Sequence, residues 1–429
     1  MAGLLFPEWD FEFFHLISLV QFKNVIGQEP VKQHLVEMVQ HNRLSHALLF
    51  LGKEGSGALP LAVAFANYVS SLPNLDKQSS VSGASLFGEA QPAEIKLPST
   101  AADADAWMEK QPSFQKAQGL VHPDIHFSFP VITKKSGSPP LSTDYISEWR
   151  EFIRQYPYGN IYDWLQAIGA ENKQGNITAQ ECNDIIHKLS LKSFESGYKI
   201  LVLWMPEYLG KEGNKLLKLI EEPPPDTLFI LVAENESAIL STILSRCQLV
   251  KIPALETADV EQALIQKAKT EPAQAKRLAA ISEGNYREAL HLLQHADEDY
   301  NALLKDWLNA TLKNATALQV KCIEEIARLG REAQKQFLLY FTHLLESAMR
   351  LQVMNDEGKG RVLAGLSDAE KEFAPRLNKV MSVAQQQAIS QELDQAAYYI
   401  ERNANAKILF HALSIKMYHI VKNNQVVSV

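Results

Sequence analysis

The chain has 429 residues, enough for two or three domains with full cores at about 150 residues per domain. Hydrophobic residues make up 46% and charged residues 21%, which excludes a disordered chain, and a formal net charge of -8 argues against a surface given over to nucleic acid, while leaving room for a local basic stripe. Three widely separated cysteines, Cys182, Cys247 and Cys322, exclude a disulfide framework and suit a reducing compartment.

Met1–Val20 is apolar and aromatic (Phe6, Trp9, Phe11, Phe13, Phe14). It also carries Glu8, Asp10 and Glu12 and lacks a basic start, so it reads as a poor signal peptide. The sequence has no run of about 18 apolar residues, so no membrane span is expected and the expected location is cytoplasmic. In Glu29–Gln40, Val31, Leu35, Met38 and Val39 recur at helical spacing. Ala47–Leu51 is a short apolar run that stops at glycines, the pattern of a buried parallel strand. Gly52, Gly55 and Gly57 form a loop, and Leu59–Val69 is apolar enough to pack as a helix on a sheet. Strand, glycine loop and helix in this order is the phosphate-loop layout.

Residues from about 70 to 120 are rich in Ser, Ala, Pro, Gly and Gln and read as a long, partly mobile insert. Asp124–Ile132 then predicts a strand and Ser142–Tyr156 a helix. Thr178 predicts an N-cap, with Glu181 at capping-box spacing. Lys199–Leu203, Thr227–Val232 and Leu249–Ile252 are further buried strands. Gly213–Glu222 is a helix ended by Pro223, Pro224 and Pro225, and Ile243–Cys247 closes a short helix. This alternation predicts a parallel sheet covered on both faces. After Pro253 the strand signals stop. Glu256–His295 reads as a small helical domain, and everything from about Ala302 is helical. Phe337, Tyr340, Phe341, Leu344 and Leu345 share one face there, and Ile400–Val421 is a long final helix.

A competent phosphate loop reads G-x-x-x-x-G-K-[ST]. Its lysine neutralises the outer phosphates and its hydroxyl ligates magnesium. Here Gly52-Lys53-Glu54-Gly55-Ser56-Gly57-Ala58-Leu59 keeps both framing glycines but puts Ala58 at the lysine position and Leu59 at the hydroxyl position. Lys53 lies at the wrong end of the loop to substitute. A competent partner strand ends in Asp-Glu. Here Lys199–Leu203 runs into Trp204 and Met205, with Glu207 the nearest carboxylate beyond the strand. No nucleotide cofactor is therefore expected.

Phe22-Lys23-Asn24-Val25-Ile26-Gly27-Gln28, followed by Arg43-Leu44-Ser45-His46 and the apolar strand, resembles the opening of bacterial clamp-loader ATPase domains. Asn214–Pro224 and Ile243-Leu244-Ser245-Arg246-Cys247 resemble later motifs of the same family. With both catalytic motifs degraded, the chain is most similar to the family's delta-prime type, over about 22–69 and 122–252. The resemblance implies an α/β AAA+ P-loop-type domain followed by an all-α lid and an all-α collar, with boundaries at 1–253, 254–298 and 299–429. It implies a non-hydrolysing subunit in a ring with motor gamma/tau-type and delta-type subunits, reaching the sliding clamp and primed DNA through that complex. No activity is then expected of the isolated chain, which would be a component of the DNA polymerase III holoenzyme. The resemblance also makes Arg246 an arginine finger acting in trans on a neighbour's ATP site, with Ser245 and Cys247 in support. Such a residue contributes about 10³ or more in rate.

Two other functions remain open: a divergent motor-type ATPase, which Ala58, Leu59, Trp204 and Met205 oppose, and a stand-alone DNA-binding protein, which the net charge opposes. Arg246 also fits an ordinary arginine at a helix end, Ser245 a local cap and Cys247 a buried thiol. Relatives in the family often carry a zinc module in the insert. Met108, Gln111 and Phe114 stand where its cysteines would be, so no zinc is expected. Order there would then depend on Trp107 and Phe114 packing on the main domain. His122 and His126 predict structural histidines sharing one strand face. Arg287 stands at the lid position that senses nucleotide, or else holds the lid by ion pairing. Lys188, Lys192 and Lys199 form either a basic edge or a solvated helix face.

Overall fold

The computed structural model describes residues 21–73, 97–134, 137, 139–170, 173–294, 300–366, 368–401 and 404–423. Met1–Val20 and the middle of the insert lie outside the described residues. The chain divides into two compact units, with the boundary between His291 and Leu292.

In the first unit β1 (Ala47–Gly52), β2 (Ile125–Ser128), β3 (Lys199–Trp204), β4 (Thr227–Ala233) and β5 (Gln248–Ile252) form one sheet. Its order is β2-β3-β4-β1-β5 and every neighbouring pair is parallel. Parallel neighbours need crossovers, so each strand is followed by helical chain on one face or the other. Alternate side chains feed two cores. Leu48, Phe50, Ile200, Val202, Leu228 and Ile230 enter one, with α1 (Glu29–Gln40) and α2 (Ala58–Ser70). Leu49, Leu201, Leu203, Phe229 and Leu231 enter the other, with Cys182, Ile185 and Leu189 of a helix that follows Thr178. Every residue of α2 is buried, the condition of a helix that is apolar all round.

The insert is folded where it is described. α3 (Ala101–Glu109) and α4 (Phe114–Gln118) precede β2. Met108 is buried in the first core, Phe114 packs against that core, and Trp107 donates its indole N–H to the Ser71 carbonyl at 3.2 Å. Gln111 turns back to the Trp107 carbonyl at 3.3 Å. Asp105, buried on the inner face of α3, accepts from the backbone N–H groups of Phe22 and Lys23, both at 2.8 Å. Apolar packing and one buried carboxylate thus tie this segment to the start of the domain.

Beyond β2 a 3-10 turn leads into α5 (Ile146–Gln155), and α6 (Ile161–Ala167) follows. α6 was not among the elements expected from the sequence. α7 (Ala179–Ser190) starts as expected, with the Thr178 hydroxyl accepting from Glu181 N–H at 3.3 Å. The capping box is not completed. The Glu181 carboxylate is buried and turns to Ser128 Oγ (2.8 Å), Ser142 N–H (2.8 Å) and Ser142 Oγ, because these inward donors would otherwise lie unpaired away from water. The expected helix Gly213–Glu222 is a longer 3-10 segment, Pro206–Leu216, broken at Gly210 (φ 51°), and then α8 (Leu217–Glu221). α9 (Ser241–Leu244) precedes β5. α10 (Thr257–Lys267), α11 (Pro272–Ile281) and α12 (Tyr286–Gln294) follow, and this helical stretch up to His291 falls within the first compact unit.

In the second unit the described residues are helical apart from short connections. α13 (Tyr300–Leu312), α14 (Thr316–Arg328), α15 (Arg331–Val353), α16 (Asp356–Gly365), α17 (Asp368–Val380), α18 (Val383–Glu401) and α19 (Ala406–Lys422) surround one core. Trp307 lies at its centre, 5.7 Å from Phe337 and 5.6 Å from Phe410 between ring centroids, and its N–H meets Ser414 Oγ at 2.9 Å. The single final helix expected from Ile400 is two helices. Asn405 interrupts it as an N-cap, its side chain accepting from Ile408 N–H, because a short amide competes with the backbone for that donor.

Candidate functional site: a closed glycine loop and a surface arginine

The loop after β1 sits at the carboxyl end of the sheet where the strand order reverses, the place where open α/β sheets bind ligands. Gly55 (φ 71°) and Gly57 (φ 90°) supply the left-handed backbone that shapes it. At the start of α2, Ala58 and Leu59 are buried and Pro60 has no N–H, so this helix N-terminus offers one phosphate donor fewer than an ordinary one.

The chain's own side chains cover this loop. A methyl group on Gly55 would meet Asn285 Oδ1 at 1.8 Å, and one on Gly57 would meet the Tyr158 ring at 3.0 Å. Tyr158 accepts from Ile26 N–H at 2.8 Å and meets the Tyr286 ring edge to face at 5.0 Å. Both phenols are buried, and desolvation holds their pKa values well above the ordinary range. Gln28 donates to the carbonyls of Ser56 (3.0 Å) and Pro253 (2.7 Å), joining the loop to the chain that follows β5.

Charge is balanced internally as well. Arg287, 7% exposed, grips Asp163 with Nε (2.6 Å) and Nη2 (2.7 Å) and reaches Glu54 in the glycine loop with Nη1 (3.0 Å). Asn160 donates to the other Glu54 oxygen at 3.0 Å and begins α6 in a capping box with Asp163. Of the two readings of Arg287, the geometry is that of an ion pair. Glu54, Tyr158, Asn160, Asp163 and Asn285 were not singled out in the sequence. The three-residue spacing of Asn160 and Asp163 was the available signal, as a helix start.

At the end of β3, Trp204 is 2% exposed and pairs in register with Val232. Its ring lies 5.1 Å from Trp149 and 5.9 Å from Phe152, and Trp149 stacks on Phe129 at 4.1 Å. Met205 is buried beside it with φ 57°. Ala58, Leu59, Trp204 and Met205 therefore share one hydrophobic core. Glu207 faces elsewhere. It accepts from Glu234 N–H (2.7 Å) and Asn235 N–H (2.8 Å), and burial pushes its carboxyl up despite those bonds.

Arg246 lies between α9 and β5. Its Nε meets Glu221 Oε1 at 2.6 Å and its Nη2 contacts the same oxygen. Its Nη1 donates to the Thr242 carbonyl (2.6 Å) and to Ser245 Oγ (3.1 Å). Ser245 caps α9 through a bond to the Thr242 carbonyl. Cys247 packs against the second core, and burial pushes its thiol up to about 11, so it is protonated at neutral pH.

Two surface expectations are corrected. His122 lies before β2, not on it. Its Nδ1 accepts from Asp124 N–H and its Nε2 lies 3.5 Å from Glu195, while His126 is in the strand, so the two do not share a strand face. Burial pulls both imidazoles down toward the neutral form. Lys199 is buried and donates to the carbonyls of Leu189 and Leu191, and Lys188 pairs with Asp184, so neither is a free member of a basic edge. Among the described residues no cluster of His, Cys, Asp and Glu suits a metal, and no helix is long and apolar enough to cross a membrane.

The family model described as "DNA polymerase III, delta subunit" matches residues 103–256. The DNA polymerase III subunit delta' of Bacillus subtilis is 25% identical over 266 residues, 62% of this chain and 59% of that protein. The subunit delta' of Yersinia pestis is 27% identical over 202 residues, 45% and 57% of the two chains. The subunit gamma of Buchnera aphidicola is 25% identical over 218 residues, 44% and 58%. The chain thus spans just under three fifths of the length of these curated relatives. A DNA polymerase III gamma subunit-related protein of Thermotoga maritima aligns with 90% of this chain and 99% of its own, at 12% identity and a TM-score of 0.37. The parallel sheet with its glycine loop, followed by helical chain, is the AAA+ class of fold. Within that class the chain is similar, over part of its length, to DNA polymerase III clamp-loader subunits of the delta' and gamma kinds.

Proposed function

We propose that this chain is a non-hydrolysing, delta-prime-type subunit of a DNA polymerase III clamp loader. It partners motor gamma/tau-type and delta-type subunits in the cytoplasm and reaches sliding clamp and primed DNA through the complex. Division of the first unit into an AAA+ body to about residue 253 and a lid from 254, with a collar from about 299, belongs to the same reading. One observation carries it: the glycine loop is closed by Tyr158, Asn285 and the Arg287–Glu54–Asp163 ion pairs. Where a triphosphate would need a lysine and metal ligands, this chain supplies apolar side chains and an arginine already neutralised by carboxylates.

Arg246 then works in trans, stabilising charge that builds on the phosphoryl group in a neighbour's site. In a ring reconstituted with motor subunits, Arg246→Ala is expected to lower ATP turnover sharply, by about 10³-fold at the one site it serves, while leaving assembly intact. Unchanged turnover removes Arg246 from the mechanism. The gamma and tau relatives favour a second reading, a divergent motor-type ATPase. A titration of the purified chain with magnesium-ATP separates the two: the closed loop predicts no saturable binding at micromolar nucleotide, and tight magnesium-dependent binding reverses the assignment.

A further inference from the structure

The Arg246 side chain is folded back on its own subunit, and its donors can be counted. A guanidinium has five N–H groups. Nε–H donates to Glu221 Oε1, Nη2 is in ion-pair contact with the same oxygen, and the two Nη1 hydrogens are directed at the Thr242 carbonyl and Ser245 Oγ. One N–H is left. A phosphoryl oxygen pair is gripped through two donors on one edge of the fork, and both edges are engaged here. A Glu221 carboxylate kept at hydrogen-bond distance would also stand close to the incoming phosphate and repel it. Glu221 ends α8, where the partial negative charge of the helix terminus disfavours a carboxylate, so the residue gains from a cation placed beside it. Both side chains are partly open to solvent, 31% for Arg246 and 46% for Glu221, so exchanging one anion for another is cheap.

We propose that Glu221 is the resting partner of Arg246, holding the guanidinium withdrawn until the outer phosphate of a neighbouring subunit's nucleotide displaces it. Glu221 is thus a positioning residue that competes with the phosphate. It keeps the finger neutralised when no neighbour is docked. This inference rests on the trans-acting role of Arg246.

The test is magnesium-ATP turnover by the reconstituted ring carrying wild-type chain, E221Q, E221D, R246A or E221Q/R246A. Releasing an exposed ion pair is expected to raise turnover roughly two- to fivefold in E221Q. E221D, which keeps the charge, should return it to the wild-type value, and the double variant should be as slow as R246A. A loss of fold or docking cannot produce a gain that depends on Arg246. If R246A is slow but E221Q is no faster than wild type, Glu221 is not a competing partner and the inference falls alone. If R246A is as fast as wild type, the trans-acting role fails and takes this inference with it. In the isolated chain, the Arg246 Nε–H resonance should be sharp in wild type and E221D and broadened by solvent exchange in E221Q. An unchanged signal in E221Q overturns the pairing itself.

Discussion

Replacing Arg287 with alanine would strand two carboxylates that folding has already drawn most of the way out of water. Glu54 and Asp163 are 20% and 17% exposed at the side chain, and the guanidinium between them is 7% exposed. Removing one member of a fully buried pair costs about 3–5 kcal/mol. The residual exposure of both acids lowers the expectation to about 2–4 kcal/mol for the first compact unit. At an urea dependence of about 2 kcal/mol per molar, that moves its unfolding midpoint down by about 1–2 M. The assay is urea unfolding of the full chain by tryptophan fluorescence. Trp107, Trp149, Trp164 and Trp204 lie in the first unit and Trp307 in the second, so the first unit's transition dominates the signal. Neutralising the acids as well, in R287M/E54Q/D163N, should recover most of the loss, because the cost lies in uncompensated charge and not in the missing contacts. A single variant within about 0.5 kcal/mol of wild type, or a triple variant no better than the single one, would refute this account of the closed loop.

Two further outcomes follow from buried groups. Lys267 donates to the Asn24 carbonyl at 2.9 Å, and desolvation lowers its pKa to about 8 from 10.5. Between those values the unfolded chain binds more protons than the folded one, so wild-type stability should rise with pH across that window. Lys267→Met should be more stable than wild type by about 1–3 kcal/mol at pH 7, and the advantage should shrink from pH 8 to pH 10.5; a gain that does not vary with pH would refute the assignment. Trp204→Asp restores a carboxylate at the strand end but places it among Trp149 and Phe152. It should cost at least about 4 kcal/mol in urea unfolding and create no magnesium-ATP binding in a calorimetric titration.

The residues that follow the loop glycines and end β3 could be placed from the sequence because those positions are fixed by local spacing. Ala58 and Leu59 follow the last loop glycine directly, and Trp204 directly ends an apolar run. The strands and α1 were legible for the same reason: burial on two faces or on one stripe writes a period into the residues themselves. Glu181 shows the limit of that reasoning. Its spacing from Thr178 announced a capping box, yet the carboxylate serves Ser128 and Ser142, more than thirty residues away in sequence.

What fills the glycine loop was decided by tertiary structure alone. Glu54, Asn160, Asp163 and Arg287 belong to three segments, and sequence spacing carries no information on which charged side chains meet across such distances. The same holds for Arg246, whose motif was readable but whose pairing with Glu221 was not. The sequence by itself determined the alternating elements and the apolar residues that follow the glycine loop and end β3, since short-range sterics and hydrophobic period act within a few residues. Only the folded chain determined how its charges are neutralised, because that depends on which groups are desolvated together.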